Sequence, residues 1–254
     1  MNFWLIFLNE LRIARRDPGV FAILFAMPFV ALYLLSPAMR PALIQEGFAN
    51  ATGAEQAMPG MSVLFGNFAM AFLAFSIFRE HTWNTWERLR LSPLSKLSIF
   101  LGKALLPFTL LICQQLLLLL AARLIFGVEM QGSIIAFLAI SMAFAFFTMS
   151  LGFLFTALLN SMQEINAFIN VGALLFAGIG GAFAPLKTLP YWIQKIAFLS
   201  PNYWAIQGLK DVILKGTPLS GLFMPLAILT LVGLCCLSLA FYKFNSSSRK
   251  ETWA

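Results

Sequence analysis

Six apolar stretches, each of 18 residues or more, run through the sequence at roughly residues 18–38, 61–78, 100–126, 133–159, 165–183 and 219–243. A stretch of this length supplies enough helix to cross the hydrocarbon core of a bilayer, about 30 Å thick at about 1.5 Å per residue. No water is present there to satisfy backbone N–H and C=O groups, so each stretch must close its own hydrogen bonds. Six such helices use about half of the 254 residues and leave only short connections. Charged residues make up 11% of the chain, against about 25% in an average soluble domain. The expected fold is an all-α integral membrane protein, with residues 1–254 forming a single transmembrane domain.

The residues ahead of the first stretch lack the order of a secretory signal, because apolar "FWLIFL" precedes the basic cluster Arg12, Arg15 and Arg16. Trp4, Phe7, Leu8, Leu11 and Ala14 recur at helical spacing, with Asn9, Arg12 and Arg16 elsewhere. This predicts an amphipathic helix over residues 2–16, lying in the membrane interface; a frayed leader is the alternative. Cys113, Cys235 and Cys236 fall inside apolar stretches, without disulfide or zinc spacing, and read as small packing residues.

Lys and Arg accumulate on cytoplasmic segments and so set the orientation. Three basic groups fall on one side of a six-span chain. They are Arg12, Arg15 and Arg16; Arg79, Arg88, Arg90, Lys96 and Lys103; and Lys243, Arg249 and Lys250. They hold 11 of the 17 basic residues, so that side, with both termini, is expected to be cytoplasmic. The net charge of +7 then reflects orientation and anionic lipid rather than nucleic acid. On the other side a loop over 39–60 sets Arg40 against Glu46 and Glu55. Residues 184–218 set Lys187, Lys195, Lys210 and Lys215 against Asp211. Long outer segments weigh little in the rule. Arg123, near the outer end of the third stretch, can snorkel to the interface.

Between the second and third stretches, "FREHTWNTWERLRLSPLSK" gathers charge and two tryptophans (Phe78–Lys96). Ser92-Pro93 predicts a fresh helix start, serine as cap and proline in the first turn. That leaves a short isolated helix from about Glu80 to Leu91. Thr82, Thr85, Trp86 and Leu89 share one face; Glu80, Asn84, Glu87 and Arg88 share another. Three turns of helix are unstable alone in water, so this one needs a surface: the membrane interface or a groove on a cytosolic protein.

The segment "REHTWNTWERLRLSPLSKLSIFLGK" resembles the cytoplasmic loop of type-2 ATP-binding-cassette (ABC) exporter permeases. The matching positions are Arg79, Glu80, Thr85, Glu87, Arg88, Leu89, Ser92, Pro93, Leu94, Ser95, Gly102 and Lys103. "GGAFAPLKTLPYWIQKIAFLSPNYWAIQGLKDVILKG" is similar to the family's C-terminal pattern at Pro185, Leu186, Leu189, Pro190, Trp192, Ser200, Pro201, Trp204, Ala205, Gly208, Leu209, Asp211 and Gly216. One departure is His81-Thr82-Trp83-Asn84, bulkier than the glycine-containing stretch of many relatives. The resemblance implies that the loop is a coupling helix docked on a cytosolic nucleotide-binding subunit, with Glu80, Thr82, Thr85, Trp86, Glu87, Arg88 and Leu89 as ATPase-coupling residues. Thr82, Trp86 and Leu89 would bury in or beside the groove. Glu80, Glu87 and Arg88 would pair with partner charges or fix the helix between spans two and three. It further implies a second permease copy, identical or not, and a bacterial inner (cytoplasmic) membrane location. It also implies a re-entrant helical pair over about 189–199 and 202–215, broken at Ser200-Pro201. There Tyr191, Trp192, Tyr203 and Trp204 by themselves predict only interfacial helices.

The phosphate-cradling pattern G-x-x-x-x-G-K-[ST] is absent, and the glycine-rich run at 172–183 is apolar throughout. The chain is therefore expected to bind no cofactor, with ATP and magnesium held by a separate ATPase chain. Neither H-E-x-x-H nor G-x-S-x-G occurs, and the lone His81 has no ligand set, so no metal site or catalytic residue is expected. Polar residues inside the stretches are candidates for a substrate pathway: Gln114 and Gln115, about 100° apart on their helix, and Asn166 and Asn170, which share a face. Helix–helix hydrogen bonding is the alternative role for each. Glu164 is expected at the cytoplasmic boundary. The expected function is a permease subunit that exports a hydrophobic or amphiphilic, drug- or antibiotic-like molecule. Lipid or glycolipid/polysaccharide export within the same family, and an ion-coupled secondary transporter, are the alternatives.

Overall fold

Each of the six apolar stretches is helical in the computed structural model, which describes residues 3–83, 85, 91 and 94–244, apart from the side chains of Val20, His81, Thr82, Lys96 and Phe244. No strand occurs among the described residues. The helices are α1 (Phe3–Ala14), α2 (Pro18–Phe21), α3 (Met27–Gln45), α4 (Ala54–Gly66), α5 (Ala69–Thr82), α6 (Lys96–Phe126), α7 (Ile134–Leu158), α8 (Met162–Ile179), α9 (Tyr191–Ile196), α10 (Pro201–Lys215) and α11 (Phe223–Phe244). Among the described residues, six runs are long and apolar enough to cross a membrane: Ala22–Gln45, Ala54–Glu80, Leu97–Phe126, Ile134–Leu158, Met162–Ile179 and Leu219–Lys243.

Local chemistry sets the helix ends. Asp17 caps α2 by accepting from Gly19 N, with Pro18 in the first turn. A single π-helical turn, Ala22–Ala26, then carries the chain into α3. Ser133 caps α7 by accepting from Ala136 N. Ser161 and Glu164 form a reciprocal capping box on α8, which therefore begins three residues ahead of the apolar stretch read from the sequence. Gly127 and Gly216, both at positive φ, end α6 and α10.

The core is built around α7, which packs on α5, α6, α10 and most extensively on α11. Helix α4 is the most enclosed, with every residue from Ala54 to Leu64 buried. By contrast α3, α8 and α11 turn broad apolar faces outward, including Leu34, Val171, Leu175 and Leu231. Helix α1 packs across the start of α6. Gly102 makes this possible: a methyl group added there would stand 2.7 Å from Ile6 Cβ and 2.9 Å from the Phe3 carbonyl oxygen.

Four boundaries depart from the sequence reading. The expected loop over 39–60 is mostly helix: α3 continues to Gln45 and α4 begins at Ala54. Pro37, Pro41 and Pro59 lie inside these helices. The second span does not stop at Phe78, because α5 continues to Thr82 and takes Glu80 into its last turn. Helix α6 is capped by Ser95, whose hydroxyl accepts from Ser98 N, and Leu94 before it is non-helical, so Ser92-Pro93 does not start this helix. The stretch 202–215 is not a surface helix: α10 lies against α4, α7, α8 and α11, with Leu209, Val212 and Ile213 enclosed. Tyr191 and Trp192 of α9 are exposed, as their interfacial reading requires.

Candidate functional site

The densest polar cluster lies at the end of the bundle that carries the basic groups. Lys103, in the third turn of α6, is almost fully enclosed at 2% exposure. Its ammonium donates to Glu10 Oε1, to Glu80 Oε1 and to the Ser76 carbonyl, each at 2.9 Å. An ammonium has three protons, and all three are used. The second oxygen of Glu10 accepts from Arg79 Nη2 at 2.6 Å. Two acids and two bases therefore neutralise one another across α1, α5 and α6, which lets charge sit in a low-dielectric place. Arg79 also stacks its guanidinium over the exposed Trp83 ring, 5.4 Å from the centroid.

Glu80 extends the cluster into the loop. Its carbonyl accepts from Thr85 N at 2.9 Å, and its free carboxylate oxygen accepts from the Thr85 hydroxyl. Of the seven coupling residues read from the sequence, the structure thus joins Glu80 and Thr85, and places Thr82 at the end of α5. Trp86, Glu87, Arg88 and Leu89 lie outside the described residues. Glu80 is turned toward Lys103 and the interior, whereas the helix predicted from Glu80 to Leu91 grouped it with Glu87 and Arg88 on one face.

Beside this cluster opens a cavity of about 850 Å³, floored by Glu10, Arg79 and Lys103. Its walls are Phe65, Phe68, Phe72 and Phe75 of the second span, Ile23 and Met27 of the first, and Leu106, Pro107 and Leu110 of α6. Asn166 and Asn170 line the same cavity from α8, and Asn170 Nδ2 donates back to the Asn166 carbonyl at 2.8 Å. The space is apolar along its length and charged at one end, a lining suited to an amphiphile.

Gln114 and Gln115 are both fully buried and do not line this cavity. Gln115 Oε1 accepts from the Ser141 hydroxyl at 2.7 Å and so links α6 to α7. Gln114 points the other way, to a hollow of about 590 Å³ against Phe25 and Phe29 of the first span, and neither of its amide atoms has a partner. The structure therefore brings Asn166 and Asn170 together and separates them from the two glutamines.

Sequence reasoning missed Glu10. It stands four residues before Ala14 on the face opposite Trp4 and Leu8, which are exposed rather than packed on the bundle. The signal available was the single acid in an otherwise apolar and basic arm, but its partner Lys103 lies 93 residues away.

The model of the ABC-2 type transporter family matches residues 1–214. The linearmycin resistance permease protein LnrN of Bacillus subtilis is 25% identical over 76% of this chain and 48% of its own length. The probable multidrug ABC transporter permease YbhR of Escherichia coli is 25% identical over 59% of this chain and 41% of its own. ABC transporter G family member 20 of Dictyostelium discoideum is 30% identical over 63% of this chain and 22% of its own. The matches thus span half or less of each of these relatives.

Proposed function

The chain belongs to the ABC-2 type transporter family, and on that premise we propose that it is the permease subunit of an ABC exporter for an amphiphilic, drug- or antibiotic-like molecule. The observation that carries this reading is the cavity of about 850 Å³, apolar in its walls and closed at one end by Glu10, Arg79 and Lys103. Relatives named for linearmycin resistance and multidrug transport point to the same substrate class. The six apolar helices make the chain a multi-pass membrane protein.

In this reading ATP is bound and hydrolysed by a separate chain, which docks on the loop after α5 and works with a paired permease copy. This chain supplies the gate. A push on residues 82–91 reaches Thr85 and Glu80, then Lys103, and through Lys103 the helices α1 and α6. Because the cluster is enclosed and internally neutral, it can re-aim its contacts without leaving a buried charge unpaired. ATP shifts the equilibrium only as far as the ATPase contacts the loop differently in the two states. Glu55, Glu80 and Glu164 are the acids of the candidate spans, and each is held by internal hydrogen bonds. Of the acids that line the cavity, Glu10 is paired with Arg79 and Lys103 and Asp17 caps α2, which favours an ATP-driven device over an ion-coupled one that needs a free acid in the path.

The test is transport by inverted membrane vesicles that hold the chain and its ATPase. ATP-dependent uptake of a fluorescent amphiphile, lost on Walker-lysine substitution in the ATPase, supports the proposal. Uptake driven by a proton gradient without the ATPase would overturn it.

A further inference from the structure

The charges around the cavity of about 850 Å³ do not cancel. At its floor Lys103 and Arg79 are answered by Glu10 and by Glu80 behind them, two cations against two acids. All three Lys103 protons are used, and each carboxylate oxygen of Glu10 already has a cationic partner. One more charged side chain lines the space: Asp17, just ahead of the first span. It is exposed, and it takes part in no ion pair among the described residues. Its Oδ1 accepts from Gly19 N at 3.0 Å, which fixes the carboxylate in place. That bond supplies no countercharge, and the α2 N-terminus offsets only part of one. Arg12, Arg15 and Arg16 are exposed on the same arm but do not line the cavity. Ser76, Asn166 and Asn170, the uncharged polar residues of the lining, bring no cation either.

The cavity therefore holds one unanswered negative charge, and it sits at the membrane boundary. From Asp17 the lining follows the first span past Ile23 to Met27, about 15 Å of helix at about 1.5 Å per residue. A cationic amphiphile lies in a bilayer in the same way, with its head at the interface and its body in the hydrocarbon. An anionic head would meet Asp17 as a like charge, which excludes rather than attracts.

We propose that the exported molecule carries a cationic head, an ammonium or similar onium group, which seats against Asp17 while its apolar body lies among Phe65, Phe68, Phe72 and Phe75. This inference rests on the reading of the cavity as the path of the exported molecule and names the charge of that molecule.

The experiment uses inverted membrane vesicles that hold the chain and its ATPase, with three diphenylhexatriene probes of one shape. One bears a trimethylammonium group, one is uncharged and one bears a propionate. Each initial rate of ATP-dependent uptake is divided by the amount of probe in the membrane. The cation should exceed the uncharged probe about tenfold, as for a charge pair half out of water, and the propionate should be slowest. Asp17→Asn removes the charge but keeps the helix cap, because asparagine caps as well as aspartate does. It should bring the ratio of cation to uncharged probe close to one. Equal uptake of the three probes, faster uptake of the propionate, or a cation preference that survives Asp17→Asn would overturn the inference and leave the exporter reading standing. ATP-dependent uptake of none of the three would overturn the exporter reading itself, and this inference with it.

Discussion

At its basic end the bundle is fastened by long charged side chains; at the opposite end, backbone lies directly on backbone. Lys103 reaches across to Glu10 and Glu80 through a flexible four-carbon stem, and Arg79 reaches to Glu10 in the same way. At the far end a methyl added to Gly53 would fall 1.8 Å from the Ser36 carbonyl oxygen, and one added to Gly60 would fall 2.3 Å from the Ala182 carbonyl oxygen. Gly53 also sits at φ +97°, where only glycine is unstrained. Gln56 Nε2 donates to the Gly181 carbonyl at 2.8 Å across the same junction. Side-chain contacts can lengthen and re-aim by rotamer changes, whereas packed backbone has no such freedom. The difference assigns adjustment to the end where the ATPase would push, and a fixed anchor to the other.

The sharpest way to break this comparison is Lys103→Met. It strands Glu10 and Glu80 without their shared cation and should cost about 3–5 kcal/mol, read as a fall in the thermal midpoint in detergent. Adding Glu10→Gln should return part of the loss, whereas at an unpaired position the two changes would simply add. Lys210→Met tests the enclosed ion pair of the opposite end, where Lys210 Nζ lies 2.8 Å from Glu46 Oε2. Its expected cost is about 1.5–3 kcal/mol in the same melt, with transport per folded molecule unchanged. Gly60→Ala should cost about 1–3 kcal/mol by overpacking against Ala182. A neutral result there would show that this end adjusts after all. Trp86→Ala, in the loop, should leave the melt alone and weaken association with the ATPase about tenfold, or about 1.4 kcal/mol, in a pull-down titration. Unchanged association would remove the loop from the docking surface.

The six spans and the N-terminal helix were legible because hydrophobic runs and helical spacing are local properties. The first two spans were read short because Pro37, Pro41 and Pro59 read as helix ends, each lacking an N–H and crowding the turn before it. Gly102-Lys103 was visible as part of a family pattern, but not for its physical roles: the glycine seats α1, and the lysine holds Glu10 and Glu80. Pairings over such sequence distances leave no periodic trace. Asn166 and Asn170 were found by their shared face. Gln114 and Gln115 were equally polar on the page, and only the packing of α7 and the first span separates them.

Full use of the Lys103 protons has a consequence for protein engineering. An ammonium offers three donors spread tetrahedrally about one atom, while a guanidinium spreads five in a plane at the end of a longer arm. Exchange for arginine would preserve the charge yet misdirect the fork, leaving at least one of Ser76, Glu10 and Glu80 unanswered. At this position shape, as much as sign, dictates which residue the scaffold will accept.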